Sequence, residues 1–204
     1  MARGYVRVRQ AIAPVTVIDE LVPAQGRILE YGCGMGVVAV TLGLGAPDRF
    51  VDGVDLAASR IDVARAAAAA AGLSGRVSFQ PVEEDWVPPV GAYDAVVVVD
   101  VLYLLGPDAV QLVTGRLIAA LRPGGRLVVK EVGTTPAWKR RAGRAQEFLA
   151  VRALRFTRGS TLNADPLRSV RAAVASAGLD SRSLPLDRGY YYPHEALTVD
   201  VPAE

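Results

Sequence analysis

The chain has 204 residues, 51% apolar and 22% charged, with a net charge of +2. That length suffices for one domain with a substantial core, and a charge so close to balance gives no general attraction to nucleic acid. A single cysteine, Cys33, excludes an intrachain disulfide and a cysteine-based zinc cluster. The opening residues MARGYVRVRQ lack a secretory apolar core, and no apolar run approaches the roughly 20 residues that span a bilayer. The expectation is one domain over residues 1–204, cytoplasmic, as a monomer or homodimer.

Strand and helix signals alternate along the chain. Arg27 to Tyr31 reads as a short buried strand that ends in a glycine loop, and Val37 to Leu44 as the helix after it. Phe50 to Leu56 is a second strand. Ser59 is expected to cap the next helix through its hydroxyl, and that alanine-rich helix should stop at Gly72, which tolerates a left-handed exit. Val77 to Gln80 is a third strand. Asp94 to Asp100 is a fourth, with the unbroken apolar run of a strand covered on both faces. Pro107 opens a helix through Leu121, and Arg122-Pro123-Gly124-Gly125 turns into a fifth strand, Arg126 to Val132. Strands separated by helices imply parallel pairing, since parallel neighbours need a crossover.

The pattern then changes. Residues 136–160 form a basic, helical, lid-like insert, and Asp165 to Ala177 another helix. Two apolar–polar segments within residues 180–202 leave no room for a helix between them and read as a hairpin. The predicted fold is therefore α/β: a Rossmann-like, doubly wound sheet of seven strands, mostly parallel, with an antiparallel last strand.

The segment Glu30-Tyr31-Gly32-Cys33-Gly34-Met35-Gly36 joins the first strand to the first helix. Glycines there permit positive φ and let a ligand approach the backbone, and in a doubly wound sheet this loop lies at the carboxyl edge, where ligands bind. Such a loop alone also suits a merely tight turn. Carboxylates at successive strand ends strengthen the ligand reading. Asp55 ends the second strand, where an acid accepts both hydroxyls of a ribose. Glu83 and Asp85 follow the third strand, placed for an adenine amino group. Asp94 and Asp100-Val101-Leu102-Tyr103 give the fourth an acidic, then aromatic, exit over the cleft.

In combination these segments resemble the class I S-adenosylmethionine-dependent methyltransferases. ILEYGCGMG is similar to their motif I, GVDLAASRIDVAR to their acidic second-strand motif, and YDAVVVVDVLYLL and LRPGGRLVVKE to their fourth- and fifth-strand motifs. The resemblance spans about residues 27–132, the cofactor-binding core, and fades beyond. It implies that S-adenosylmethionine is the cofactor. Gly32, Gly34 and Gly36 would line it, Glu30 face its amino group, and Asp55 bind its ribose. Glu83 or Asp85 would meet the adenine, Leu56 and Trp86 flank the ring, and Asp100 join the same cofactor set. A nicotinamide enzyme would need a third glycine where Val37 stands, and Glu30 suits a cationic amino acid better than a phosphate. A methyltransferase-like binding protein without catalysis is the other alternative.

Methyl transfer from a sulfonium needs alignment above all, and a protic acceptor also needs a base. No metal cluster is expected. His194 is the only histidine and the candidate base. If the sixth strand runs parallel to the first five, the turn RGYYYPH lies at the carboxyl edge. Tyr103, Tyr190 and Tyr191 are candidate substrate contacts, with Tyr103 also a candidate catalytic residue. Of Lys130 and Glu131, one is expected to be a structural ion-pair partner. The insert carries Lys139, Arg140, Arg141, Arg144, Arg152, Arg155 and Arg158 against one acid, Glu147, with Trp138 on its apolar side and a candidate for the acceptor pocket. It suits an anionic substrate, an acidic carrier protein or a membrane headgroup. DVLY at the fourth-strand exit lacks the motif of base-amino methyltransferases, so nucleic acid is not the expected partner. The reading is a methyltransferase for a small or carrier-bound metabolite, on oxygen ahead of carbon or nitrogen.

Overall fold

A computed structural model describes residues 15–132, 163–186 and 194–203. In chain order it has α1 (Val15–Leu21), β1 (Gln25–Tyr31), α2 (Val37–Gly45), β2 (Asp48–Asp55), α3 (Ala58–Ala70), β3 (Val77–Pro81) and β4 (Tyr93–Val99). A 3₁₀ turn (Leu102–Leu104), α4 (Pro107–Ala119), β5 (Leu121–Val132), α5 (Pro166–Ser176), β6 (Ser181–Pro185) and β7 (His194–Asp200) complete it. The seven strands lie in the order β3-β2-β1-β4-β5-β7-β6. β1 to β5 are parallel, and β7 runs antiparallel to both β5 and β6. β6 is thus parallel to the first five strands, and the order reverses between β1 and β4, the point at which such sheets bind ligands.

The valine run of β4 occupies the centre of the sheet because both its faces are covered. Ala95, Val97 and Val99 pack with α1, α2 and α3 on one side. Val96 and Val98 pack with α4 and α5 on the other. Val96, Val97 and Val98 are each 0% exposed, a burial worth about 1.5–3 kcal/mol per side chain. The end of α3 behaves as composition predicts: its alanines give way to Gly72 at φ 72°, a conformation glycine adopts without penalty.

Three sequence expectations are corrected. Ser59 lies inside α3 and caps nothing. The N-cap position is Ala57, whose N–H donates to Asp55 Oδ1 at 2.9 Å, so the strand's own terminal acid does the work assigned to the serine. Asp94 does not exit over the cleft. It sits near the start of β4, at the amino edge, accepting from the Arg27 backbone N–H at 2.6 Å and from Arg122 Nη1 at 3.0 Å. β5 begins at Leu121 rather than after the glycine turn, with a register irregularity opposite Tyr93–Ala95 that absorbs Arg122 to Gly125.

Candidate functional site

The carboxyl edge gathers the glycine loop and the exits of β2, β4, β5 and β7. Gly32, Gly34 and Gly36 have φ of 76°, 53° and 76°, in the left-handed region. They are glycine for different reasons. A Cβ on Gly32 would lie 2.5 Å from Val101 Cγ2, and one on Gly36 would lie 2.6 Å from the Phe79 ring and 2.8 Å from Ala64 Cβ. Those two positions serve close packing. A Cβ on Gly34 would meet nothing within 4 Å, so this residue faces open space and leaves the backbone approachable. The loop is tied to β2, because Gly32 and Cys33 both donate to Val54 O, at 2.8 and 2.9 Å.

Asp55 organises the ligand side of that tie. Its Oδ2 accepts from Gly34 N–H at 2.9 Å while Oδ1 accepts from Ala57 N–H, and its side chain is 11% exposed. A carboxylate has about four acceptor sites, so one held by two amides still offers lone pairs to a diol. Val82 N–H donates to Asp55 O at 3.1 Å, which links the β3 exit to the same residue. Leu56, next along the chain, is 59% exposed despite being apolar. Glu83 and Asp85 are exposed, Trp86 is half-buried against the α4/α5 core, and Trp86 N–H closes a turn onto Glu83 O. The exits of β2 and β3 thus carry a loop open at Gly34, a fixed acid and an exposed apolar residue.

Two residues under the loop are turned inward. Glu30 is 3% exposed and its Oε2 accepts from Ala39 N–H, in the first turn of α2, at 2.8 Å. Cys33 is 5% exposed, and burial beside Glu30 and Asp55 pushes its thiol well above the ordinary cysteine range. A thiol held neutral in this way is no nucleophile.

The β4 exit is gripped from both faces by consecutive residues of β5. Lys130 Nζ donates to Asp100 Oδ1 and Oδ2 at 2.7 and 2.8 Å. Lys130 is thus the ion-pair partner expected of that dipeptide. Glu131, on the opposite face, accepts through Oε1 from Val101 N–H at 3.0 Å and Leu102 N–H at 2.6 Å. Burial, then the charge of Asp100, push the Glu131 carboxyl up to about 8. Tyr103 follows on the 3₁₀ turn, and its carbonyl accepts from Asn163 N–H at 2.9 Å. Glu131 Oε2 and Asn163 Nδ2 are both buried with no hydrogen-bond partner among the described residues. Asn163 carried no chemical signal in the sequence, being a polar residue two positions before the Asp165 cap of α5.

His194 is the first residue of β7, not part of the loop before it. It is 4% exposed and pairs with Val132 at the carboxyl end of β5. The register puts it on the face that carries Lys130, with Glu131 and Glu195 on the other. Trp138, Tyr190, Tyr191 and the basic insert at 136–160 lie outside the described residues.

Residues 28–125 match the family described as a methyltransferase domain. Among solved structures, an O-methyltransferase family protein from Burkholderia thailandensis superposes with a TM-score of 0.74 at 21% identity, over 97% of this chain and 57% of that one. Geranyl diphosphate C-methyltransferase from Streptomyces coelicolor gives 0.66 at 15% identity, over 91% of this chain and 78% of that one. The [4+2]-cyclase SpnF gives 0.64 at 20%, over 93% and 80%. The chain thus spans little more than half the length of the Burkholderia protein. Residues 28–125 are thus similar to a methyltransferase domain, and the sheet has the fold of these solved methyltransferases.

Proposed function

We propose that this protein methylates a small or carrier-bound metabolite at the carboxyl edge of its sheet, with oxygen as the favoured acceptor atom. The observation that carries the reading is Asp55, a strand-end carboxylate fixed by the amides of Gly34 and Ala57 beside a loop whose Gly34 faces open space. Bound S-adenosylmethionine supplies a methyl group on a sulfonium, already activated for displacement. What remains for the chain is to hold the cofactor, orient the acceptor and accept a proton where the acceptor is protic.

Asp55 is assigned the ribose, Gly34 the amino-acid side of the cofactor, and Leu56 and Trp86 the flanks of the adenine, with Glu83 ahead of Asp85 for its amino group. On the acceptor side, Tyr103 and His194 stand at the exits of β4 and β5. His194 is the proposed base. Trp138, Tyr190 and Tyr191 are proposed acceptor contacts on sequence alone. The arginines of residues 136–160 suit a negative group on the acceptor or its carrier. The named activity of the geranyl diphosphate C-methyltransferase, whose acceptor is anionic, makes carbon methylation of an anionic metabolite the second reading. SpnF, a cyclase on a similar fold, is a reminder that fold alone does not fix the reaction.

Calorimetry tests the cofactor assignment. Asp55→Ala is expected to weaken both S-adenosylmethionine and S-adenosylhomocysteine by about 1.5–3 kcal/mol, the value of a hydrogen bond to a charged group. With the native acceptor, His194→Ala should lower turnover about 10²–10⁴-fold and leave cofactor affinity unchanged. Tight NADH binding without S-adenosylmethionine affinity would end the reading.

A further inference from the structure

Two buried atoms on the α4/α5 side of the carboxyl edge, Glu131 Oε2 and Asn163 Nδ2, have no hydrogen-bond partner among the described residues. Both belong to side chains fastened on the same short turn. Glu131 Oε1 accepts from Val101 N–H and Leu102 N–H, and Asn163 N–H donates to the carbonyl of Tyr103, the next residue. Glu131 shares its face of β5 with Leu127 and Val129, which pack with α4 and α5. Asn163 leads into α5, and its Oδ1 accepts from the N–H of the capping Asp165 at 3.1 Å. The strand end and the helix entry thus bring the two groups to one side of residues 101–103.

What each unused atom can do follows from the bonds its neighbour makes. Asn163 Oδ1 is the accepting half of the amide, so Nδ2 is a donor. Glu131 Oε1 takes two amide donors, the role of a carbonyl oxygen. Burial, then the charge of Asp100, push the carboxyl up to about 8, so near neutral pH it keeps a proton, and that proton belongs on Oε2. The charges around it are already engaged. Lys130 and Asp100 bind each other on the other face. Glu195, opposite Glu131 on β7, takes Arg171 of α5, and Asp165 takes the Arg168 amide. Two buried donors therefore meet at one turn, an arrangement that costs free energy unless something accepts from them.

We propose that Glu131 Oε2 and Asn163 Nδ2 are a donor pair that binds one unprotonated oxygen of the methyl acceptor, of a carbonyl or a carboxylate, beside the Tyr103 turn. The assignment rests on the reading above that the methyl acceptor lies at this edge. The pair selects that molecule and takes no proton from it. His194, the proposed base, lies on the opposite face of the β5/β7 ladder, so the two duties are separate. A hydroxyl in the same place would satisfy both donors less well, because its own proton would point at one of them.

The test uses protein saturated with S-adenosylhomocysteine and three probes of like shape, benzoate, acetophenone and toluene. NMR follows the backbone amides of Val101 and Leu102 and the side-chain amide of Asn163 during each titration. Benzoate or acetophenone should shift these signals and bind about fivefold or more tightly than toluene. Asn163→Asp keeps the oxygen that accepts from Asp165, loses the donor, and should abolish the preference. Glu131→Gln replaces O–H by N–H and should keep it. In wild type the preference should decline as pH rises through about 8, and in Glu131→Gln it should not. Thermal melting checks that both variants fold; should either fail, the wild-type comparison of probes and its pH dependence decide the matter. Toluene binding as well as the oxygen probes, signals that no probe moves, or a preference intact in Asn163→Asp would each make the two donors structural and overturn the proposal. Wild-type protein that fails to bind S-adenosylhomocysteine in calorimetry would overturn the cofactor reading itself, and the proposal with it.

Discussion

The two edges of the sheet carry charge in opposite ways. At the amino edge, Arg27 pairs with Asp52, Arg122 with Asp94 and Arg126 with Asp200, each with at least one side chain more than two-fifths exposed. A groove of about 390 Å³ lies there, lined by Arg27, Phe50, Asp52, Ser78, Asp94 and Arg122 among others, far from the glycine loop. At the carboxyl edge several of the charges lie deeper. Lys130 and Glu131 are 0% exposed, a left-handed aspartate stands between strand and turn, and one carboxyl oxygen has no partner among the described residues. Exposed pairs are worth little and tolerate loss, whereas buried polar groups and backbone strain persist only where the surroundings hold them. The groove lies at the solvated edge, and the buried, unbalanced chemistry at the edge proposed to bind the cofactor.

The largest effect that would sharpen this contrast is on stability. Gly36→Val asks an L-residue to adopt φ 76° with its Cβ 2.6 Å from Phe79. Backbone strain and overpacking together should cost roughly 2–5 kcal/mol. Gly34→Ala, with open space around its Cβ, should cost about 1–2 kcal/mol from conformation alone. Urea titrations that ranked the two equally would mean that the loop packs differently from its description.

A smaller and pH-dependent effect belongs to Glu131. Its carboxyl is raised from 4.5 to about 8 in the folded protein, so between those values the folded state keeps a proton that the unfolded state has lost. Stability contributed by this group is therefore complete below about 4.5 and declines as pH rises toward 8. Glu131→Gln keeps an acceptor for Val101 and Leu102 and cannot ionise. The variant should match wild type near pH 5 and exceed it by about 1 kcal/mol or more at pH 9. A wild-type-minus-variant difference that stays constant from pH 5 to pH 9 would deny the buried charge.

Much of this was legible in the chain itself. The alternation of apolar runs with helix signals specified a parallel sheet, and the glycine spacing marked a left-handed loop, which the structure ties to Asp55. The short space between the last two strands specified an antiparallel pair, and β6 and β7 pair in that way. What escaped was position along a strand. Asp94 and Asp100 bracket the same valine run, and pattern alone assigned both to the cleft, although one strand length separates the two edges. The α1 helix, a single amphipathic stretch of seven residues, gave too few turns to register. Lys130 and Glu131 read as a dipeptide with one structural member. Alternation along β5 sends them to opposite faces, and both meet the same segment because it crosses above the strand end. That convergence comes from the β4–β5 register, which no local pattern encodes.

The smallest effect bears most directly on the contrast of edges. Arg122 Nη1 lies 3.0 Å from Asp94 Oδ2, with the two side chains 48% and 32% exposed. Asp94 keeps the Arg27 amide when the guanidinium is lost, so no buried acceptor is stranded. Arg122→Gln should therefore cost less than about 1 kcal/mol, and less still near about 1 M salt, where the screening length falls to roughly 3 Å. Its affinity for S-adenosylhomocysteine should stay within about twofold of wild type, because the whole length of β4 separates Asp94 from Asp100. A larger loss of affinity would show that the amino-edge groove and the glycine loop communicate through the strand, and the division of the sheet into a solvated edge and a working edge would have to be abandoned.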